Sequence, residues 1–137
     1  MEQNNSQFSV SIMGIIFNPQ TKKILIGKGK NDSLLPNLTW CFPWGKAIPG
    51  EDVDITLKNN VKAKTGLTVK NLGAIFSKTY PEKDDLLGVY FLCESFEGEE
   101  LAGDSFEELK WIDPEELETH FTTSFHKKLG QFLTELK

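Results

Sequence analysis

The sequence predicts an α/β domain in which a mixed β-sheet is covered by helices. Apolar runs rich in β-branched and aromatic residues recur along the chain, separated by turn residues such as Asn18 and Pro19. Two other stretches, one central and one C-terminal, carry apolar residues at helical spacing. The 137 residues show no internal repeat and no interdomain linker, so we expect a single domain over residues 1–137.

The predicted strands precede and follow the central helix. They cover residues 8–17, 23–28, 39–42, 67–80, 86–95 and 106–112, with the first two forming a hairpin. The helix is predicted at residues 51–64, because Val53, Leu57 and Val61 recur every four residues and Gly66 follows as a stop signal.

A second helical region is predicted at the C-terminus. Asp113 is a typical N-cap residue, and Pro114 suits the first turn of a helix. The expected apolar stripe consists of Phe121, Phe125, Leu129, Phe132, Leu133 and Leu136.

Composition excludes some classes of function. The net charge of −5, from 20 acidic and 15 basic residues, argues against bulk binding to a nucleic-acid backbone. Cys41 and Cys93 lie in apolar stretches and are expected to be reduced. The N-terminus does not resemble a signal peptide, and the longest mostly apolar run, residues 86–93, is too short to cross a bilayer. We therefore expect a cytoplasmic protein that does not bind membranes.

A loop containing two turns precedes the central helix. Pro43, Trp44 and Gly45 are expected to form the first turn, and Pro49 and Gly50 the second. Backbone N–H groups at the start of a helix attract anions, and Lys46 adds a positive charge nearby. The residues alone leave two interpretations open: a phosphate-binding loop, or a loop that simply needs the dihedral angles of glycine.

The spacing within residues 40–67 resembles a family motif. Gly45, Glu51, Val61, Gly66 and Leu67 match the Nudix box of the Nudix hydrolases, G-x5-E-x7-R-E-U-x-E-E-x-G-U with U apolar. WCFPWGK is similar to the family's W-x-x-P-G-G-K, and WIDPEEL is similar to its passage from the last strand into a helix. The resemblance covers nearly the whole chain. It implies a Nudix-type α/β/α sandwich with a mixed sheet, and cleavage of nucleoside diphosphates linked to another group with Mg²⁺ or Mn²⁺. Family members often form dimers, so a homodimer stays open.

The metal-binding positions of the box are altered. In the family, glutamates at the positions of residues 60, 63 and 64 share one helix face, bind the metal and so activate water. This chain has Asn60, Ala63 and Lys64 there, and Asn59 where the family has arginine. A neutral amide, a methyl group and an ammonium do not form a magnesium site. We therefore expect no metal ligands and a hydrolytic activity that is lost or strongly impaired.

The remaining polar residues suggest binding of a small phosphate-bearing ligand. The candidate ligand-binding residues are Lys28, Lys30, Trp44, Gly45, Lys46, Glu51, Asn60 and Lys64. Lys64 either holds an anion directly or is an ordinary charge that suits the C-terminal end of the helix. Glu51 either contacts the ligand or caps the helix. Trp44 either narrows the pocket, stacks on a base or closes the site.

Three functional hypotheses follow. The first is a Nudix-family domain that binds a nucleotide or other diphosphate-bearing ligand without cleaving it. The second is an active hydrolase of nucleoside diphosphate-linked substrates that uses Mg²⁺ and acids outside the box, with Asp104 and Glu107 as catalytic candidates. The third is a scaffold or oligomerisation domain without a small ligand.

Overall fold

The computed structural model describes residues 9–29, 40–80, 83–104, 106–121 and 127–136. The strands are β1 Ser9–Asn18, β2 Lys23–Gly29, β3 Trp40–Cys41, β4 Trp44–Lys46, β5 Leu67–Tyr80, β6 Lys83–Gly98 and β7 Phe106–Ile112. The helices are α1 Val53–Thr65, α2 Leu117–His120 and α3 Lys127–Glu135, with a 3₁₀ turn at Pro114–Glu116 before α2.

The seven strands form one mixed sheet in the order β3-β2-β1-β6-β5, with β4 also paired to β1 and β7 to β2. The pairing of β1 with β6 is parallel, and the other pairings are antiparallel. The hairpin strands β1 and β2 pair only near their turn, through residues 16–18 and 23–25. Residues 40–46 lie between the diverging strands, with β3 paired to β2 and β4 paired to β1. Residues 40–46 therefore pass from β2 to β1 within the sheet, and α1 is the next helix along the chain.

Helices cover both faces of the sheet. On one face, Leu57 and Val61 of α1 pack against Ile12 and Ile16 of β1. On the other face, the apolar side chains of α2 and α3 pack in a second cluster of buried residues. That cluster includes Met13, Ile15, Phe42, Leu117, Leu129 and Leu133. The predicted α/β/α sandwich with a mixed sheet is confirmed.

The expected turn at residues 43–45 is wrong, because Trp44–Lys46 is a strand. Met13 pairs with Trp44 and Ile12 with Gly45, so the segment continues the sheet. Sequence patterns favoured a turn because proline and glycine flank the tryptophan, whereas the glycine here serves a close contact with α1. The second turn is confirmed at Gly50, which has a φ of 83°.

Two expected apolar stripes are only partly buried. Val53 is 40% exposed, since residues four apart drift by about 40° around a helix and Val53 is two such steps from the buried Val61. At the C-terminus, Leu129 and Leu133 are buried but Phe132 is 40% exposed, and Phe125 lies outside the described residues. Among the helices of the described part of the chain, none is both long enough and apolar enough to cross a membrane.

Candidate functional site

The site is built around a close contact between β4 and α1. Gly45 faces the side chain of Asn60, and a Cβ atom at position 45 would overlap the Asn60 amide group. A side chain at position 45 would have to displace this amide, so glycine suits the close approach of the strand to the helix. The amide in turn donates from Nδ2 to the carbonyl oxygen of Thr56 at 2.9 Å, which fixes its orientation.

Acidic side chains of the protein itself form hydrogen bonds at the start of α1. Asp52 is the N-cap, and its carboxylate accepts the backbone N–H of Asp54 at 3.0 Å. Glu51 does not cap the helix. Its Oε1 accepts the hydroxyl hydrogen of the buried Thr56 at 2.5 Å. The Asp52 carboxylate therefore already occupies the place where an anion at the helix start would lie.

Three polar side chains, Thr56, Asn60 and Lys64, follow one another at intervals of four along α1, and we call them the polar seam. Residues four apart lie on the same face of a helix. Two of the three, Asn60 and Lys64, stand at positions where the Nudix box has glutamates. Ala63, at the remaining glutamate position, is exposed.

Lys64 is the most unusual member of the polar seam. Its side chain is only 8% exposed, and its Nζ donates to Oδ2 of Asp104 at 3.0 Å. The same ammonium lies 5.5 Å from the centre of the Phe106 ring. Asp104 is very different, because 54% of its side chain is exposed. A buried cation is thus paired with a half-exposed anion.

The loop of residues 99–104 brings Asp104 to the polar seam. Leu101 donates its N–H to the carbonyl of Thr65 at 2.9 Å, and Gly103 donates to the carbonyl of Lys64 at 3.1 Å. These bonds satisfy carbonyl groups at the end of α1 that have no partner within the helix. Gly66, with a φ of 79°, ends the helix and leaves no room for a side chain against the carbonyl of Glu99.

Other candidate residues lie apart from the polar seam. Trp44 is next to Gly45 in β4, so the two residues face opposite sides of the sheet. Trp44 packs with the cluster beneath α2 and α3. Glu107 lies on β7, where its Oε2 is 4.0 Å from Nζ of Lys28 in an exposed ion pair. Lys30 lies outside the described residues.

Lys46, at the end of β4, is exposed and borders a shallow cavity of about 330 Å³. Ser9, Val10, Ala47, Ile48 and Pro49 complete its lining. The structure therefore brings together Gly45, Glu51, Asn60, Lys64 and Asp104 of the candidates, and leaves Lys28, Trp44, Lys46 and Glu107 in separate surroundings.

Thr56, which links Glu51 to Asn60, was not among the predicted site residues. Its position four residues before Asn60 was the only signal, and threonine within a helix is too common to single out. The pairing of Lys64 with Asp104 was not predicted either, since the two residues are 40 positions apart.

Two ionisable groups near α1 have shifted pKa values. The pKa of Asp54 is lowered by a hydrogen bond from Asn71 Nδ2, at 2.9 Å, and by the ammonium of Lys58 at 3.1 Å. Burial raises the pKa of the Cys93 thiol to about 12, with the charge of Asp54 adding to this effect. Neither group belongs to the polar seam.

The polar seam does not fit the divalent metal of the Nudix box. The Asn60 amide contacts Gly45 and is bonded to its own helix, and Ala63 offers no ligand atom. The carboxylate of Asp104 accepts a hydrogen bond from the ammonium of Lys64, a cation that would repel a divalent ion. Across the described ranges, no three side chains of His, Cys, Asp or Glu are grouped closely enough to hold a metal ion.

Comparison with known proteins places this geometry in a family. The family model for the NUDIX domain matches residues 7–133. A MutT structure from Aliivibrio salmonicida and Vibrio cholerae is similar with a TM-score of 0.71 and 20% identity, covering 93% of this chain and 96% of that chain. MutT from Methanosarcina mazei Go1 has a TM-score of 0.76 and 15% identity, covering 98% and 96%. An ADP-ribose pyrophosphatase from Streptococcus suis has a TM-score of 0.62 and 22% identity, covering 78% and 75%. A search of curated proteins gives no match.

Proposed function

The chain belongs to the Nudix family, and from that premise we propose that it binds a nucleotide or other diphosphate-bearing ligand, while the usual metal-dependent hydrolysis is lost or strongly impaired. The observation that carries this proposal is the buried ammonium of Lys64 at a glutamate position of the box. The names of the similar structures, MutT and ADP-ribose pyrophosphatase, support a phosphate-bearing ligand.

The charge of Lys64 is the reason for expecting no hydrolysis. Two unit charges about 4 Å apart interact by roughly 4 kcal/mol at an effective dielectric constant of about 20. A divalent ion beside Lys64 would be repelled by about twice that amount, whereas the family's glutamate would attract it. Replacing the glutamate by lysine therefore does more than remove a ligand, because it puts a positive charge, which the Asp104 carboxylate partly offsets, in place of a negative one.

The same charge is the reason for expecting binding. A phosphate group needs cations or N–H donors, and Asp52 already occupies the start of α1. Lys64 is the cation of the polar seam, one helical turn beyond the contact between Gly45 and Asn60. In this proposal it binds a phosphate group by direct charge, without a bridging metal.

The test is a ligand and turnover screen on one set of samples. The panel contains nucleoside triphosphates, ADP-ribose, NAD, dinucleoside polyphosphates and nucleotide sugars, each with Mg²⁺, with Mn²⁺ and with chelator. We expect at least one compound to raise the melting temperature equally in all three conditions, with no phosphate or nucleotide product. Metal-dependent turnover would overturn the proposal. If no compound raises the melting temperature and no product forms, a scaffold domain would be favoured.

A second candidate, hydrolysis with an acid from outside the box, is favoured by one observation. Asp104 lies at the polar seam and is half exposed, whereas Glu107 lies beside Lys28. If the protein is a hydrolase, turnover should fall about 10²-fold or more in Asp104→Asn and stay near wild type in Glu107→Gln.

A homodimer is also part of the proposal, and light scattering of the purified protein measures its mass in solution.

A further inference from the structure

We propose that Asp104 is an internal competitor of the ligand: its carboxylate occupies the phosphate-binding position at Lys64, and a phosphate group of the ligand displaces it. This inference rests on the proposed binding function and specifies how that site is occupied and opened. The pair joins Nζ of Lys64 to Oδ2 of Asp104 at 3.0 Å.

The unequal burial of the pair supports an exchange of anions. The Lys64 side chain is 8% exposed, so its ammonium needs a negative partner at all times. The Asp104 side chain is 54% exposed, so its carboxylate is hydrated as soon as it turns away. Opening the pair alone is therefore costly, and replacing Asp104 by another anion is not.

The backbone of the loop permits this exchange. The bonds that hold it to α1 come from Leu101 and Gly103, and Phe106 donates to the carbonyl of Gly103 at 2.9 Å. The Asp104 carboxylate can leave Lys64 by side-chain rotation while all three bonds stay intact. Asp104 has a φ of 54°, a left-handed conformation that aspartate and asparagine adopt more readily than most residues.

The competition selects a class of ligand. A carboxylate carries one negative charge, whereas a terminal phosphate group carries about 1.5 to 2 at neutral pH. A terminal phosphate therefore displaces Asp104 more easily than an internal phosphodiester with one charge. We expect inorganic pyrophosphate and nucleoside diphosphates, which end in phosphate, to bind more tightly than compounds whose two phosphates are both esterified.

The test is titration calorimetry with inorganic pyrophosphate in chelator, at a temperature where circular dichroism shows every variant to be folded. Asp104→Asn keeps a hydrogen-bond acceptor and the left-handed backbone but removes the competing charge. We expect it to bind pyrophosphate about tenfold more tightly than the wild type, or about 1.4 kcal/mol. Lys64→Met should weaken binding at least tenfold. Glu97→Gln, which removes an exposed acid elsewhere, should match the wild type.

The outcomes separate this inference from the proposed function. If Asp104→Asn binds pyrophosphate more tightly than the wild type, the competitor role and the binding function are both supported. The same holds if Asp104→Asn binds and the wild type binds too weakly to measure. Equal or weaker binding by Asp104→Asn, with clear binding by the wild type, would overturn the competitor role and leave the binding function standing. Absence of binding by every form, with pyrophosphate and with the nucleotide panel, would overturn the binding function and the inference with it.

Discussion

Removing either partner of the Lys64–Asp104 pair should have very different effects on stability. In Asp104→Asn, the ammonium of Lys64 stays buried and loses its ion pair with the Asp104 carboxylate. In Lys64→Met, the carboxylate left behind is that of Asp104, which is 54% exposed and keeps much of its hydration. In either variant, the charge that remains is fully hydrated in the unfolded state. The pair is therefore asymmetric, and the burial of each partner predicts the direction.

The expected size of each effect follows from this burial. Breaking a buried ion pair by removing one partner costs about 3–5 kcal/mol, and the asparagine oxygen still accepts a hydrogen bond, so we expect Asp104→Asn to cost about 2–4 kcal/mol. Lys64→Met loses a favourable position at the C-terminal end of α1, worth about 0.3–1 kcal/mol, and gains an apolar side chain at a buried site. Its net effect should lie within about 1 kcal/mol of the wild type.

Urea denaturation followed by circular dichroism measures both free energies of unfolding. The double variant, which combines Lys64→Met with Asp104→Asn, should be more stable than Asp104→Asn alone, because the buried charge is gone. The exposed pair of Lys28 and Glu107 is the control, since Lys28→Met and Glu107→Gln should each change stability by less than about 1 kcal/mol. A Lys64→Met variant that loses as much stability as Asp104→Asn would refute the reasoning from burial.

Three further predictions concern α1 and its surroundings. Gly66→Ala should cost at least about 1 kcal/mol more than Gly50→Ala in urea denaturation: both glycines have positive φ, but only at Gly66 would the new methyl group overlap a backbone oxygen. Asp54→Asn should cost less than about 1 kcal/mol at pH 6, and since the pKa of Asp54 is lowered in the folded state, the difference from wild type should fade as the pH drops below about 4. A cost that is unchanged at pH 2.5 would contradict this assignment. Cys93, with a pKa of about 12, should not react with a thiol reagent at pH 8 until the protein is unfolded, and fast labelling of native protein would disagree with its burial.

The fold was accessible from the sequence because its framework residues have local reasons to be where they are. Gly66 ends a helix in a left-handed conformation, and Val61 lies on the buried face of that helix. Such requirements place glycine and apolar residues at fixed spacing in the sequence. The strand at Trp44 was missed because proline and glycine usually signal turns, and here the glycine is needed by the side chain of Asn60 instead. A local pattern does not show which distant residue a glycine faces.

Two lysines in the last turn of α1 show the corresponding limit for the site. Lys62 is exposed and its Nζ donates to the carbonyl of Gly66 at 3.1 Å, as expected of a charge that suits the end of a helix. Lys64, two positions on, has the same charge and lies in the same last turn of α1, yet it is buried against the loop that carries Asp104. From the sequence alone, nothing distinguished the role of Lys62 from that of Lys64. Because a buried ammonium needs an anion and an exposed one does not, burial distinguishes the two lysines: the position at the helix end accounts for Lys62, whereas Lys64 also needs an anion, which is why we propose that a ligand's phosphate competes there.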